Sequence, residues 1–181
     1  SSSLSGNVTT LVTQQDRILF VGLNGNIVLS DFVLKFDTSH KKGKRFPGSN
    51  PLIGPWSEHE VSEFSVGADY SGFNDLNINV ELANAYIHKH NIQLANEQNE
   101  YGYSVRFDWR LYNELLELSL QHANILGDNG SFSSFSAAYE FSDRINIGGK
   151  IISFDSDTNT HQLFPYRHQD LIQLTLDYYF N

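Results

Sequence analysis

The end of the chain, residues 169–181, constrains the fold more than any other stretch. Its even positions are Ile172, Leu174, Leu176, Tyr178 and Phe180; its odd positions are Gln173, Thr175, Asp177 and Tyr179. Period-two alternation of this kind makes a β-strand with one apolar and one polar face. Chain termini tend to be polar and frayed, yet this one closes on aromatic rings. In a barrel that crosses a membrane, such a strand would close the structure and set its rings at the lipid–water boundary.

The same alternation recurs upstream. Residues 63–70 set Phe64, Val66, Ala68 and Tyr70 against Ser65, Gly67 and Asp69. Residues 76–86 set Leu76, Ile78, Val80 and Leu82 against Asn77, Asn79 and Glu81. Residues 101–111 carry Tyr103, Val105, Phe107, Trp109 and Leu111 opposite Ser104, Arg106, Asp108 and Arg110. Leu116, Leu118 and Leu120 oppose Glu117, Ser119 and Gln121; Phe135, Ala137, Tyr139 and Phe141 oppose Ser134, Ser136 and Glu140; Ile145, Ile147 and Ile151 oppose Asn146, Gly148 and Lys150. Residues 31–37 alternate too, 17–26 form a strand whose faces compete, and 8–13 form a weaker one. The best helical candidate, 111–120, fits alternation equally well. The expectation is about ten strands, antiparallel by their connections.

Turn chemistry separates these runs. A turn falls within 25–30, and short ones at 72–75, 112–114, 127–130 and 142–143; longer connections are expected at 88–100 and 153–168. Residues 38–60 hold three of the four prolines and the basic run Lys41, Lys42, Lys44 and Arg45, and read as a long external loop. Apart from 127–130, short and long connections alternate, which is the habit of outer-membrane barrels, whose short turns face the periplasm.

Composition narrows the choice. No stretch approaches the roughly 18 to 20 apolar residues of a membrane helix, but a barrel would not show one, because its lumen-facing residues interrupt the apolar ones. Cys is absent, which excludes disulfides and thiolate chemistry. Met is absent too, so the chain reads as a mature form or a piece of a longer one. A net charge of −9 argues against nucleic acid as a partner. Alternation alone also suits a soluble β-sandwich or a lipocalin-like binding protein. Two features favour the membrane. Strands of roughly 9 to 11 residues match a tilted crossing. Aromatics also stand beside the turns, at Tyr70, Tyr86, Tyr103, Trp109, Tyr139, Phe141, Tyr178 and Phe180, as a girdle requires.

A further set of segments carries a family resemblance: Gly22-Leu-Asn-Gly-Asn, Asp31-Phe-Val-Leu, Gly67-Ala-Asp-Tyr-Ser-Gly-Phe-Asn-Asp-Leu, Val80-Glu81, Ala138-Tyr-Glu-Phe-Ser-Asp-Arg-Ile, Leu163-Phe-Pro-Tyr-Arg-His-Gln-Asp and the terminal Tyr-Tyr-Phe. Together they resemble the C-terminal part of a proteobacterial outer-membrane β-barrel family catalogued as a domain of unknown function (number 1302). That resemblance implies the closing part of a larger barrel. It also implies work beside a periplasmic lipoprotein or an RND-type transporter, passing a hydrophobic or lipid-like molecule. It supplies no catalytic residues. The last strand resembles the signal read by the outer-membrane insertion machinery, with Gln173, Tyr178 and Phe180 in the polar and hydrophobic positions. Thr175 stands where that signal usually has glycine, and Asn181 follows the usual final aromatic.

The sequence reading is therefore all-β: an antiparallel transmembrane β-barrel of the bacterial outer membrane. It is one domain over 1–181, or the C-terminal portion of one. The expected function is a channel or transport partner rather than an enzyme, with no cofactor and no metal. Arg106, Asp108, Arg110, Glu117 and Lys150 are the candidate lumen lining. Lys41, Lys42, Lys44 and Arg45 are candidates to contact lipopolysaccharide phosphates. His88 and His90 would share a strand face, without a third ligand at zinc spacing. Alternatives are a barrel that scaffolds a partner, and an outer-membrane hydrolase. The hydrolase would need a Ser or Asp with a His base on adjacent strands near the rim; no Gly-x-Ser-x-Gly marks one.

Overall fold

The computed structural model describes residues 17–49, 56–124, 130–156 and 163–180. Nine strands follow in chain order: β1 (Leu19–Leu29), β2 (Phe32–Pro47), β3 (Trp56–Phe73), β4 (Leu76–Ile87), β5 (Asn99–Leu111), β6 (Leu116–Asn124), β7 (Gly130–Ser142), β8 (Ile145–Ser156) and β9 (Leu171–Tyr178). They form one antiparallel sheet in sequence order. Among the described residues nine strands stand where the whole chain was expected to give about ten; the weak strand at 8–13 lies outside those residues, as do 127–129 of the turn at 127–130. The helical candidate is not a helix: Leu111 ends β5 and Leu116 begins β6.

Four tight connections, at 30–31, 74–75, 112–115 and 143–144, gather at one end of the sheet. Left-handed backbone makes the first three possible, at Ser30 (φ 53°), Asp75 (φ 63°), and Tyr112, Asn113 and Glu114 (φ 54°, 56° and 69°). The first turn thus comes later than expected, because β1 keeps pairing with β2 as far as Leu29. The second and fourth fall at the tail of the stretches assigned to them. β8 likewise extends to Ser156, and a 3-10 turn, Phe164–Tyr166, lies before β9 among the described residues.

Register decides which side chains share a face. One row of partners crosses all nine strands: Leu29, Phe32, Tyr70, Ile78, Phe107, Leu120, Phe135, Ile151 and Ile172. Every member is apolar or aromatic. The face that was ambiguous in β1 is settled by pairing, with Leu19, Val21, Leu23, Ile27 and Leu29 on the side of this row. This face is open. Ile172, Leu174 and Leu176 are 71%, 85% and 71% exposed. Among the described residues only Phe46, Val61, Ala85, Ile87, Leu94 and Ala123 are buried apolar ones. A soluble sandwich would bury the residues that are most exposed here. The band is therefore a lipid-facing surface, rimmed at the tight-turn end by Phe32, Phe73, Trp109, Tyr139, Phe141, Tyr178 and Phe180.

The reading of 38–60 as loop does not hold. β2 continues to Pro47 and β3 begins at Trp56, so the hairpin extends the sheet beyond the apolar band. Pro47 is accommodated at the strand end, where a missing amide donor matters least. Gly43, at φ 85°, absorbs a register shift between Lys41 and Lys44. The extension is stiffened by a small core of Phe46, Val61, Ala85, Ile87 and Leu94. Leu94 comes from the connection after β4, which is tied down where Ala95 N donates to Pro47 O (3.0 Å) and Ser49 N donates to Gln93 O (2.7 Å).

Leu118 and Ser119 are neighbours on opposite faces, at mid-strand in β6. Leu118→Arg is expected to destabilise the folded protein by about 2–4 kcal/mol, read from urea titration in lipid vesicles. Ser119→Arg is expected to cost less than about 1 kcal/mol, since its face is polar.

Candidate functional site

The polar face sets the small side chains Ser119, Ser136, Ala138 and Gly148 among the long or charged ones Arg106, Arg110, Glu117 and Lys150. Asn77, Asp108, Ser119, Ser136, Lys150 and Gln173 are successive register partners across β4 to β9. The parallel row on the tight-turn side runs Arg110, Glu117, Ala138, Gly148 and Thr175. Small residues on four strands leave a trough that the long arms of β5 overhang. The result is a concavity of about 560 Å³.

All five expected lining residues, Arg106, Asp108, Arg110, Glu117 and Lys150, border this concavity. Arg106 Nε donates to both oxygens of Asp108, at 2.9 and 2.8 Å. Arg110 Nη1 lies 3.4 Å from Glu114 Oε1, an ion pair that reaches down to the tight turn. Asp177 and Asn146 also line the wall. Asn146 Oδ1 is the buried side-chain acceptor without a hydrogen bond among the described residues. Three cations and three carboxylates thus share one wall of this concavity. The members that sequence reasoning missed, Asn77, Ser119, Gln173 and Asp177, already sat on the polar side of their strands. What was missing was the register that brings them level with Arg106 and Lys150.

The basic run is divided by the strand it lies on. Lys41 Nζ binds Glu63 Oε2 at 2.5 Å and Lys44 Nζ approaches Glu63 Oε1 at 3.4 Å. Lys42 Nζ is 3.3 Å from Glu60 Oε1, and Arg45 Nη2 is 3.3 Å from Glu58 Oε1. Lys41 and Lys42 are successive residues of β2 and face opposite sides of the sheet. The four cations therefore do not form one patch: each meets a carboxylate of β3. Glu63 sits one residue beyond the apolar band. Its burial would raise its carboxyl, but hydrogen bonds and charge from Lys41 and Lys44 outweigh that and hold it below the usual carboxylate range. Glu60 is lowered by the hydrogen bond and charge of Lys42.

His88 and His90 separate: His88 Nε2 meets Ser62 Oγ, whereas His90 Nε2 meets Asn96 O within the connection after β4. Among the described residues no three His, Asp or Glu side chains are arranged to hold a metal. Gln173 lies on the polar face beside Lys150, and Tyr178 packs edge-on against Phe180 at 4.7 Å.

Solved structures of OmpT, an outer membrane protein of Vibrio cholerae, share this architecture. The outer-membrane expressed protein matches with a TM-score of 0.53 and 17% identity, over 77% of this chain and 46% of that one. The in-vitro folded protein matches with a TM-score of 0.54 and 18% identity, over 76% and 45%. Its trimer form matches with a TM-score of 0.54 and 17% identity, over 77% and 46%. The chain thus spans less than half the length of these structures. No protein-family model matches the chain, and no curated protein matches it. At such identities the likeness is one of fold: the sheet is built as an outer-membrane β-barrel. That architecture, with its lipid-facing band, belongs to the bacterial outer membrane.

Depressed carboxyls contribute stability above their unfolded range and lose it as pH falls through their folded values. Protection of the β2–β3 extension against amide exchange, corrected for intrinsic rates, is therefore expected to be high at neutral pH. It is expected to drop as Glu60 and Glu63 protonate below the usual carboxylate range. Glu63→Gln is expected to lose part of that protection at neutral pH and to show a weaker acid transition.

Proposed function

We propose that this chain forms a wall of an outer-membrane channel, and that the concavity beneath Arg106 and Arg110 lines an aqueous passage for small polar solutes. One observation carries the reading: charges of both signs are gathered on one polar face, over a floor of Ser119, Ser136, Ala138 and Gly148. Long charged arms over small residues narrow a passage without filling it, and their field sorts solutes by charge. The opposite face has the apolar band a barrel needs to sit in lipid, so the charged face is the one turned to water. Passage through such a wall requires no bond to be made or broken.

The family resemblance points to a hydrophobic or lipid-like cargo, with a periplasmic lipoprotein or RND-type transporter as partner. The lining of this wall favours polar solutes, so in this reading such a partner delivers a polar molecule or acts elsewhere on the barrel. Insertion would rely on the outer-membrane assembly machinery reading Gln173, Tyr178 and Phe180.

Planar-bilayer recording on the full-length protein is the test. Stepwise conductance is expected, and Arg106→Ala and Arg110→Ala are each expected to shift the reversal potential in a salt gradient toward cation preference. Absence of steps, or steps whose selectivity ignores both substitutions, would overturn the channel.

A further inference from the structure

The outward face holds a second group of side chains that a channel does not use. His40 on β2 is the register partner of Ser62 on β3, and Ser62 is the partner of Tyr86 on β4. Glu60 and His88 follow along the same face. Ser62 Oγ lies 3.1 Å from His40 Nδ1 and 2.8 Å from His88 Nε2. His40 Nε2 lies 3.9 Å from Glu60 Oε2. The His40 ring stands edge-on to His88 at 5.6 Å, and Tyr86 braces His88 at 4.9 Å.

The roles of the atoms follow from charge. Lys42 keeps Glu60 ionised. A carboxylate facing Nε2 of His40 favours the tautomer with its proton there, which leaves Nδ1 free to accept the Ser62 hydroxyl. Ser62 has one proton to give and accepts from His88 Nε2–H. The separation of His40 and Glu60 is long for a hydrogen bond, as catalytic contacts commonly are before substrate tightens them.

Position supplies the substrate class. The next register level toward the membrane holds Thr38, Phe64 and Asn84, and below it lie Phe36, Val66 and Leu82, so Ser62 stands at the upper edge of the apolar band. Ester linkages of a membrane lipid lie at that depth, between headgroup and acyl chain. Beside Glu60 and His88 opens a concavity of about 720 Å³ bordered by Arg17, Lys42 and Lys89, by Glu58 and His59, and by Ile18 and Leu19, so that its cations outnumber its carboxylates. Cations for a phosphate and apolar side chains for a hydrocarbon meet there.

We propose that Ser62, His40 and Glu60 form an acyl-ester hydrolase site for anionic lipids on the outer surface of the barrel. Ser62 Oγ attacks the ester carbonyl carbon while its proton passes to His40 Nδ1. His88 Nε2, 2.8 Å from Ser62 Oγ, would donate to the developing oxyanion. Collapse expels the lipid alkoxide, which takes the proton from His40 and leaves as an alcohol, with the acyl group on Ser62. Water then attacks the acyl-serine, giving up a proton to His40. His40 returns a proton to Ser62 Oγ as the fatty acid departs. Glu60 acts through His40 and is a positioning residue.

The sheet contains its own control. His122 Nδ1 lies 2.9 Å from Ser133 Oγ on the same outward face, but Nε2 of that ring meets the Tyr103 hydroxyl at 3.1 Å rather than a carboxylate. The test uses the full-length protein in vesicles of phosphatidylethanolamine and phosphatidylglycerol, with fatty-acid release as the readout. Folding of each variant is checked by gel migration in cold detergent. Wild type is expected to release fatty acid and to carry a fluorophosphonate adduct on Ser62. Ser62→Ala and His40→Ala are expected to lose at least roughly 100-fold in rate, and Ser133→Ala to match wild type. Glu60→Gln is expected to lower kcat with KM unchanged. A folded wild type that releases no fatty acid and leaves Ser62 unlabelled would overturn the site, as would Ser62→Ala hydrolysing at the wild-type rate. Conductance is read separately, so the channel and the hydrolase can fail independently.

Discussion

The ladder of backbone hydrogen bonds is what the rest of this structure depends on. In hydrocarbon an amide or carbonyl without a partner costs several kcal/mol, and water cannot relieve it. Strands satisfy the requirement only by pairing with neighbours. The chain meets it with consecutive hairpins, so each strand finds a partner close in sequence. Having paired its backbone, the sheet has no need of a thick apolar interior. Its apolar side chains point outward, where lipid replaces a second layer. This explains why Leu174, almost fully exposed, is nonetheless where it should be.

The two ends of the sheet solve different problems. At the tight-turn end the chain reverses in two to four residues and hands its aromatic rings to the interface. At the opposite end β2 and β3 leave the apolar band and continue in water, where the ladder alone is insufficient. There the fold changes its chemistry. Cations of β2 meet carboxylates of β3, and Phe46, Val61, Ala85, Ile87 and Leu94 close a core of ordinary soluble type. The outward row of His40, Ser62 and His88 lies at the seam between these regimes, held by membrane ladder below and by soluble core above.

What the sequence disclosed follows from this division. Inside the band one face meets lipid and the other water, so alternation is strict and strands β4 to β9 could be placed closely. Their polar faces named Arg106, Asp108, Arg110, Glu117 and Lys150 before any register was known. Beyond the band both faces meet water, alternation fades, and three prolines with four cations read as loop. The pairing that makes 38–47 a strand lies in Glu58, Glu60 and Glu63, which is visible only once β3 is laid alongside. The same holds for His40 and Ser62, 22 residues apart and joined by register rather than by any local motif. β1 was ambiguous because Phe20 and Val28 are apolar on its polar side, so its two faces look alike in sequence.

An unbroken up-and-down order has a geometric consequence for the two strands at its ends. Each hairpin reverses the chain, and eight reversals separate β1 from β9. The two therefore point the same way. A seam made directly between them would be parallel, with slanted bonds unlike those of every other seam in the sheet. An all-antiparallel ring requires an odd number of strands inserted between β9 and β1, which restores the even count of bacterial barrels. Whatever segment supplies them, the insertion enters and leaves at fixed ends: its first strand must run from the tight-turn end, where β9 finishes, and its last must finish at the tight-turn end's opposite, where β1 starts.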